Sequence, residues 1–140
     1  MIVRLPITVR YAETDAMGVV HHSSYVVWLE AARVEWLNRL GLPYTQIEAQ
    51  GLAFAVVALG LTYRQPARFG DTVEVEVCLT EATSRTLRYA YRVWRGGTLL
   101  AEGFTRHLCQ SPQGRAMRIP EAIQARLAAQ VRPDAGAGPW

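Results

Sequence analysis

The sequence predicts an α+β fold: an antiparallel β-sheet wrapped around one long central α-helix. Three observations predict it. Residues 25–32 are apolar on nearly every side of a helical projection, which reads as a buried helix. Five stretches carry strand patterns, and the last four follow one another in sequence with mostly short connections, as in an antiparallel meander. At 140 residues the chain suits a single domain, read here as 1–132, with an Ala, Gly and Pro tail over 133–140 expected to be flexible.

Residues 3–12 alternate, with Leu5, Ile7, Val9 and Tyr11 on one side and Arg4, Thr8 and Arg10 on the other. Pro6 has no amide to donate, which places this strand at an edge. A loop containing Asp15 and Gly18 follows, Gly18 being suited to a tight turn. The long helix is predicted to start at Ser23 or Ser24, either of which can cap it, and to end near Leu40 with Gly41 as its C′ residue. Tyr25, Trp28 and Trp36 are read as core first. A short second helix is expected over 43–49, opened by Pro43.

Residues 52–65 are almost continuously apolar and predict a strand covered on both faces, with Gly60 marking a bulge or a close backbone approach. Residues 72–82 and 86–95 alternate cleanly, and Gly96-Gly97 reads as a two-residue hairpin leading into a last strand over 98–109. Pro120 opens a C-terminal helix with Ile123, Leu127 and Val131 on one stripe.

Half the residues are hydrophobic and 19% are charged, which excludes a disordered chain. A net charge of +3, spread along the sequence, does not suggest a nucleic-acid binder. No apolar run reaches the length of a membrane span and the N-terminus lacks a signal peptide's apolar stretch, so a cytoplasmic protein is expected. Cys78 and Cys109 lie in predicted strands without metal-ligand spacing and read as buried free thiols. The adjacent pair His21-His22 is a poor metal site, because neighbouring side chains seldom converge on one ion. No G-x-S-x-G elbow is present, and Ser23 and Ser24 have no feature of a nucleophile.

Taken alone, Asp15 before a helix is most often a turn or cap residue. Its surroundings, however, form a pattern: Tyr11-Ala-Glu-Thr-Asp15-Ala-Met-Gly18-Val-Val-His-His22, then Tyr25, Trp28, Glu30, Ala32-Arg33 and Glu35, joined by a second stretch, Tyr63-Arg-Gln-Pro66-Ala67-Arg68-Phe-Gly-Asp71. Over about residues 3–122 the chain resembles the hotdog-fold acyl-CoA thioesterases of the 4-hydroxybenzoyl-CoA type, including the Tol-Pal-associated branch. The resemblance implies an acyl-CoA thioester substrate hydrolysed to free acid and CoA, with no cofactor beyond the coenzyme A carried by the substrate. It also implies homodimers or homotetramers with active sites at the dimer interface. It puts the catalytic carboxylate on Asp15 and the carbonyl-polarising backbone amide on His22. Gly18, His21 and Tyr25 fall beside them as substrate-binding candidates, with Ser84 and Arg85 as candidate CoA contacts and Arg88 a lesser one. Many members of the Tol-Pal branch have Tyr-His where this chain has His21-His22, a difference that bears on acyl specificity.

The chemistry fits those residue types. A thioester carbonyl gains negative charge when attacked, and unsatisfied amides at a helix N-terminus suit that charge. A nearby carboxylate can attack directly or deprotonate water. Two other readings remain at this point. One is a hotdog dehydratase or hydratase on acyl thioesters, and the other is a non-catalytic acyl-CoA-binding module.

Overall fold

A computed structural model describes residues 1–133. The expected flexible tail therefore lies, after Pro133, outside the described residues. The element order is β1 (Ile2–Thr8), a 3-10 turn (Tyr11–Glu13), α1 (His22–Arg39), α2 (Tyr44–Ala49), β2 (Ala53–Tyr63), β3 (Thr72–Ala82), β4 (Thr86–Arg95), β5 (Thr98–Gln110) and α3 (Glu121–Ala128). The strands form one antiparallel sheet in the order β1-β3-β4-β5-β2. No helix among the described residues is long and apolar enough to cross a membrane.

Alternation explains the middle of the sheet. Val73, Val75, Val77 and Leu79 on β3 and Leu87, Tyr89, Tyr91 and Val93 on β4 are all buried on the face toward α1. The β4–β5 hairpin turns through Gly96 and Gly97 as expected, with Gly96 at φ +56°. Cys78 and Cys109 are buried free thiols. The α1 helix packs on β1 and β3 through Tyr25, Trp28, Leu29, Ala32 and Trp36, the i, i+3, i+4, i+7, i+11 face. Its C-terminus is a Schellman motif: Gly41 at φ +81° donates to the Asn38 carbonyl and Leu42 to the Leu37 carbonyl.

Six expectations need correction. The strand read over 3–12 ends at Thr8, and Tyr11 sits in the 3-10 turn, 77% exposed, because the chain leaves the sheet there to build the Asp15 loop. The cap of α1 is His21 rather than a serine; its Nδ1 accepts the Ser23 amide at 3.2 Å. The α1 helix is not covered all round within one chain, since Val26 and Val27 are 38% and 59% exposed. The last four strands are not one meander. Only β3-β4-β5 is, and β2 crosses to pair with β5 at the far edge. For the same reason β2 is not covered on both faces: Val56, Val57 and Leu59 are 47%, 56% and 41% exposed. The α3 helix ends at Ala128, one turn short of Val131, which still packs on the core.

Gly60 marks a close approach, while the β2 bulge falls between Val56 and Ala58. A Cβ on Gly60 would stand 2.6 Å from the Phe104 ring. That ring is itself held under Arg88, whose guanidinium lies 4.7 Å from its centre. Gly60→Ala is therefore predicted to force the β2–β5 pair apart and to destabilise the fold by roughly 1–3 kcal/mol, the usual cost of overpacking. Urea denaturation of the variant checks this, and an unchanged midpoint would show that the ring moves aside freely.

Candidate active site

The site is built by the loop that carries β1 into α1. The Val9 amide donates to the Asp71 carbonyl, and the chain then turns through Tyr11–Glu13. Glu13 is the anchor. It is 7% exposed, and a buried carboxyl group needs partners. Its Oε1 accepts the Arg10 amide at 2.8 Å, its Oε2 accepts the Trp28 indole N–H at 2.6 Å, and its backbone carbonyl accepts the His21 amide at 2.8 Å. One residue thus ties the loop to the first and second turns of α1.

Asp15 closes the turn that follows. Its Oδ1 accepts the Met17 amide at 2.8 Å and the Val19 amide at 3.4 Å, and its carbonyl accepts the Gly18 amide at 3.0 Å. Gly18 holds φ +79°, which a side chain would strain, so the turn needs its glycine for conformation. The bland reading of Asp15 as a turn former is therefore correct for one of its oxygens. Its Oδ2 has no partner among the described residues.

At the head of α1, the His21 imidazole takes the Ser23 amide, and the His21 carbonyl takes the Ser24 amide. His22 is the first helical residue, and its amide has no acceptor among the described residues. Asp15, His22, Tyr25, Tyr63 and Arg64 line one cleft of about 340 Å³. Tyr25 is 2% exposed; its hydroxyl oxygen accepts the Ala67 amide at 3.4 Å, and burial pushes its pKa up, so it is a neutral phenol. Asp71 braces the same wall. It accepts the Arg68 amide and the Arg95 guanidinium, each at 2.9 Å, and these bonds hold its carboxyl below the usual range.

The structure thus brings Asp15, His22 and Tyr25 together, with Gly18 shaping the loop. His21 is spent on capping, its ring 4.1 Å from that of His22, and does not line the cleft. Ser84 and Arg85 are not brought to it. They occupy the β3–β4 turn, at the opposite end of an 11-residue strand, about 35 Å long. Arg88 lies on the outer face, bonded to Thr80. Sequence reasoning missed two residues. Tyr63 donates its hydroxyl to the His22 carbonyl at 2.9 Å and packs edge-on against Tyr25. It stands in the second stretch of the family-like pattern, which was the available signal. Glu13 had none, since its burial depends on Trp28, 15 residues away. Among the described residues no group of three His, Cys, Asp or Glu could hold a metal ion.

Residues 9–127 match the family described as the thioesterase-like superfamily. The chain belongs to the thioesterase-like superfamily. The putative acyl-CoA thioesterase YneP of Bacillus subtilis is 34% identical over 74% of this chain and 75% of its own length. The acyl-CoA thioester hydrolase YbgC of Escherichia coli O157:H7 is 33% identical over 89% and 94%. Among solved structures, a hypothetical protein from Thermus thermophilus, TT1821, superposes with a TM-score of 0.89 at 59% identity, covering 94% of this chain and 99% of that one. The DHNA-CoA thioesterase of Staphylococcus aureus superposes with a TM-score of 0.86 at 28% identity, covering 92% and 91%. The sheet around α1 is the hotdog fold of this superfamily.

A second cavity, of about 320 Å³, lies further along α1 and is lined by Arg33, Tyr44, Phe54, Tyr89 and His107 among others. A directional chain of hydrogen bonds runs beside it. The Phe54 carbonyl can only accept, so His107 carries its proton on Nδ1, 3.3 Å away, and its Nε2 accepts from Thr105 Oγ1 at 2.7 Å. Tyr91 then donates to Thr105 at 2.7 Å and accepts from Arg33.

Burial, followed by the charge of Arg33, pushes the His107 pKa down to about 4 from 6.5. The unfolded chain therefore takes up a proton at higher pH than the native one. Stability is complete above pH 6.5 and is lost as the pH falls toward 4. The predicted loss is roughly 3 kcal/mol from this residue. Urea unfolding at stepped pH measures it, and His107→Gln is expected to flatten that slope.

Proposed function

We propose that this chain is an acyl-CoA thioesterase, hydrolysing an acyl-CoA to the free acid and CoA. One observation carries the reading: the unpartnered His22 amide and the unpartnered Oδ2 of Asp15 border the same cleft. The thioester carbonyl oxygen accepts the His22 N–H, where the helix dipole and the fixed donor stabilise the oxyanion. Asp15 Oδ2 then works in one of two ways. As nucleophile it forms a mixed anhydride, the C–S bond breaks, the CoA thiolate leaves and takes a proton, and water hydrolyses the anhydride. As general base it takes a proton from water as the water oxygen attacks the carbonyl; the tetrahedral oxyanion then collapses, the C–S bond breaks, and the CoA thiolate leaves and takes that proton. Tyr63 donates to the His22 carbonyl and so braces the first turn of α1 that carries this amide. No metal or redox group enters either route, and coenzyme A is part of the substrate. The names of the relatives support this reading. The pattern around Asp15 resembles that of the Tol-Pal-associated branch, with His21 as a departure from it.

The active unit in this reading is a dimer, or a tetramer built from it, in a cytoplasmic protein. Strand β2 is an apolar edge with Val56, Val57 and Leu59 exposed, an arrangement that favours pairing with another strand. Antiparallel pairing of β2 with the same strand of a second copy sets the Ala53 end of one copy beside the Tyr63 end of the other. The end of the sheet bearing Ser84 and Arg85 then approaches the partner's Asp15 cleft, where these two residues can meet the CoA phosphates.

Thiol release from a panel of acyl-CoAs tests the proposal. Native protein should turn over at least one ester, and Asp15→Asn, which keeps shape and removes charge, should lower kcat by about 100-fold or more. Sizing is expected to give a multiple of 15.6 kDa for both proteins. Full activity in Asp15→Asn would remove the carboxylate from the mechanism, and an active monomer would remove the shared site.

A further inference from the structure

The two cavities are joined by one stripe of α1. His22, Val26, Glu30, Arg33 and Leu37 recur at i, i+4, i+8, i+11 and i+15 and share a side of the helix. His22 borders the Asp15 cleft; Glu30, Arg33 and Leu37 border the second cavity. Strand β2 runs between the same two places. Tyr63 lines the cleft, Phe54 lines the cavity, and Val56 and Leu59 lie between them on the helix-facing side, opposite His107 and Thr105 of β5. Val26, Val56 and Leu59 are 38%, 47% and 41% exposed. The Asp15 cleft and the second cavity thus lie at the two ends of one strip of α1 and β2, with partly exposed apolar side chains between them.

The far end has an unmet polar group. Tyr89 is 2% exposed and lines the cavity, yet its hydroxyl has no hydrogen-bond partner among the described residues. It stands outside the Arg33–Tyr91–Thr105–His107 chain, whose donors and acceptors are matched to one another. A buried unpaired hydroxyl is costly, so this one marks a place where an acceptor belongs. Arg33, beside it, is also a donor, and the cavity's carboxylates, Glu30 and Glu48, are exposed residues at its mouth. The buried end therefore offers donors and asks for an oxygen acceptor.

We propose that this strip forms a groove that is the acyl channel of the thioester site, and that Tyr89 selects acyl groups bearing an oxygen substituent at their distal end. The inference rests on the thioesterase reading for the position of the carbonyl. From His22 to Arg33 the helix rises about 16 Å, 11 residues at about 1.5 Å each, which matches an extended medium-length acyl chain. The apolar walls take the chain, the Tyr89 hydroxyl donates to the terminal oxygen, and a second copy of the chain pairing on β2 roofs the groove.

The test compares ω-hydroxydodecanoyl-CoA with dodecanoyl-CoA by thiol release. Native protein is expected to favour the hydroxylated ester in kcat/KM by about tenfold, the scale of one buried hydrogen bond left unmade by the plain ester. Tyr89→Phe deletes only the oxygen and should bring the ratio to about one, chiefly by lowering kcat/KM for the hydroxylated ester. No preference in native protein, or a preference that survives Tyr89→Phe, would overturn the proposal and leave the hydroxyl to a trapped water. The native comparison stands even if the variant folds poorly. If neither ester is hydrolysed, the thioesterase reading is decided separately by the acyl-CoA panel, and dissociation constants for the same two esters carry this comparison, with a preference lost in Tyr89→Phe as support and equal binding as refutation.

Discussion

The hydrogen bond from the Trp28 indole to the buried carboxyl group of Glu13 is the contact on which the site depends. The Asp15 loop has few apolar side chains of its own to bury, and Met17 is 83% exposed. Its position relative to α1 is therefore set by polar contacts. Glu13 provides them from three atoms: two carboxyl oxygens reaching Arg10 and Trp28, and a carbonyl reaching His21. The bond to Trp28 reaches one and a half turns into a helix that is itself fixed against β1 and β3. Through it, the rigid core fixes the distance between a loop carboxylate and a helix-terminal amide. The proposed reaction needs both groups on one carbonyl, so in that reading the precision of the tie becomes catalytic precision.

How much of this the residues announce depends on how local each cause is. Alternation marks β3 and β4 because each strand has one face on α1, and the Gly41 stop is legible because a Schellman motif needs one residue at positive φ. The Asp15–His22 pairing was legible because it lies within a short stretch of chain. What was not legible depends on distant partners. The run at Ala53–Tyr63 records that its faces are to be covered, and says nothing of whether the cover is the same chain; it lies at the edge of the sheet, where the proposed second copy would cover it. Tyr11 continues the alternation of β1 in sequence but leaves the sheet in space, because the strand's pairing with β3 stops at Thr8. His21 is an uncommon cap, and only the orientation of its Nδ1 toward Ser23 gives it that role. Ser84 and Arg85 are placed near the site by resemblance and a strand's length away by topology, a separation that the proposed antiparallel pairing of two copies would close.

The two ends of α1's groove-facing stripe show different ways of handling polarity. At the His22 end, an amide and a carboxyl oxygen without partners among the described residues face a cleft open to solvent, where water can satisfy them. At the far end, Arg33, Tyr91, Thr105 and His107 satisfy one another in a single direction, which is the condition for burying so many polar groups on the inner face of a sheet. A low pKa for His107 belongs to that arrangement, since a protonated imidazole would turn its Nε2 from acceptor to donor and break the match with Thr105.

The most direct test of the account is the effect of Trp28→Phe on turnover of an accepted acyl-CoA. The variant keeps an aromatic ring in the core and removes the indole N–H that reaches Glu13, a site 15 residues from it in the chain. The account predicts an intact oligomer with a native circular-dichroism spectrum and a kcat lowered by about tenfold or more, since small misplacements of reacting groups carry penalties of that order. A Trp28→Phe protein with native kcat would contradict it, and would mean that the Asp15 loop holds its place without the Glu13 tie.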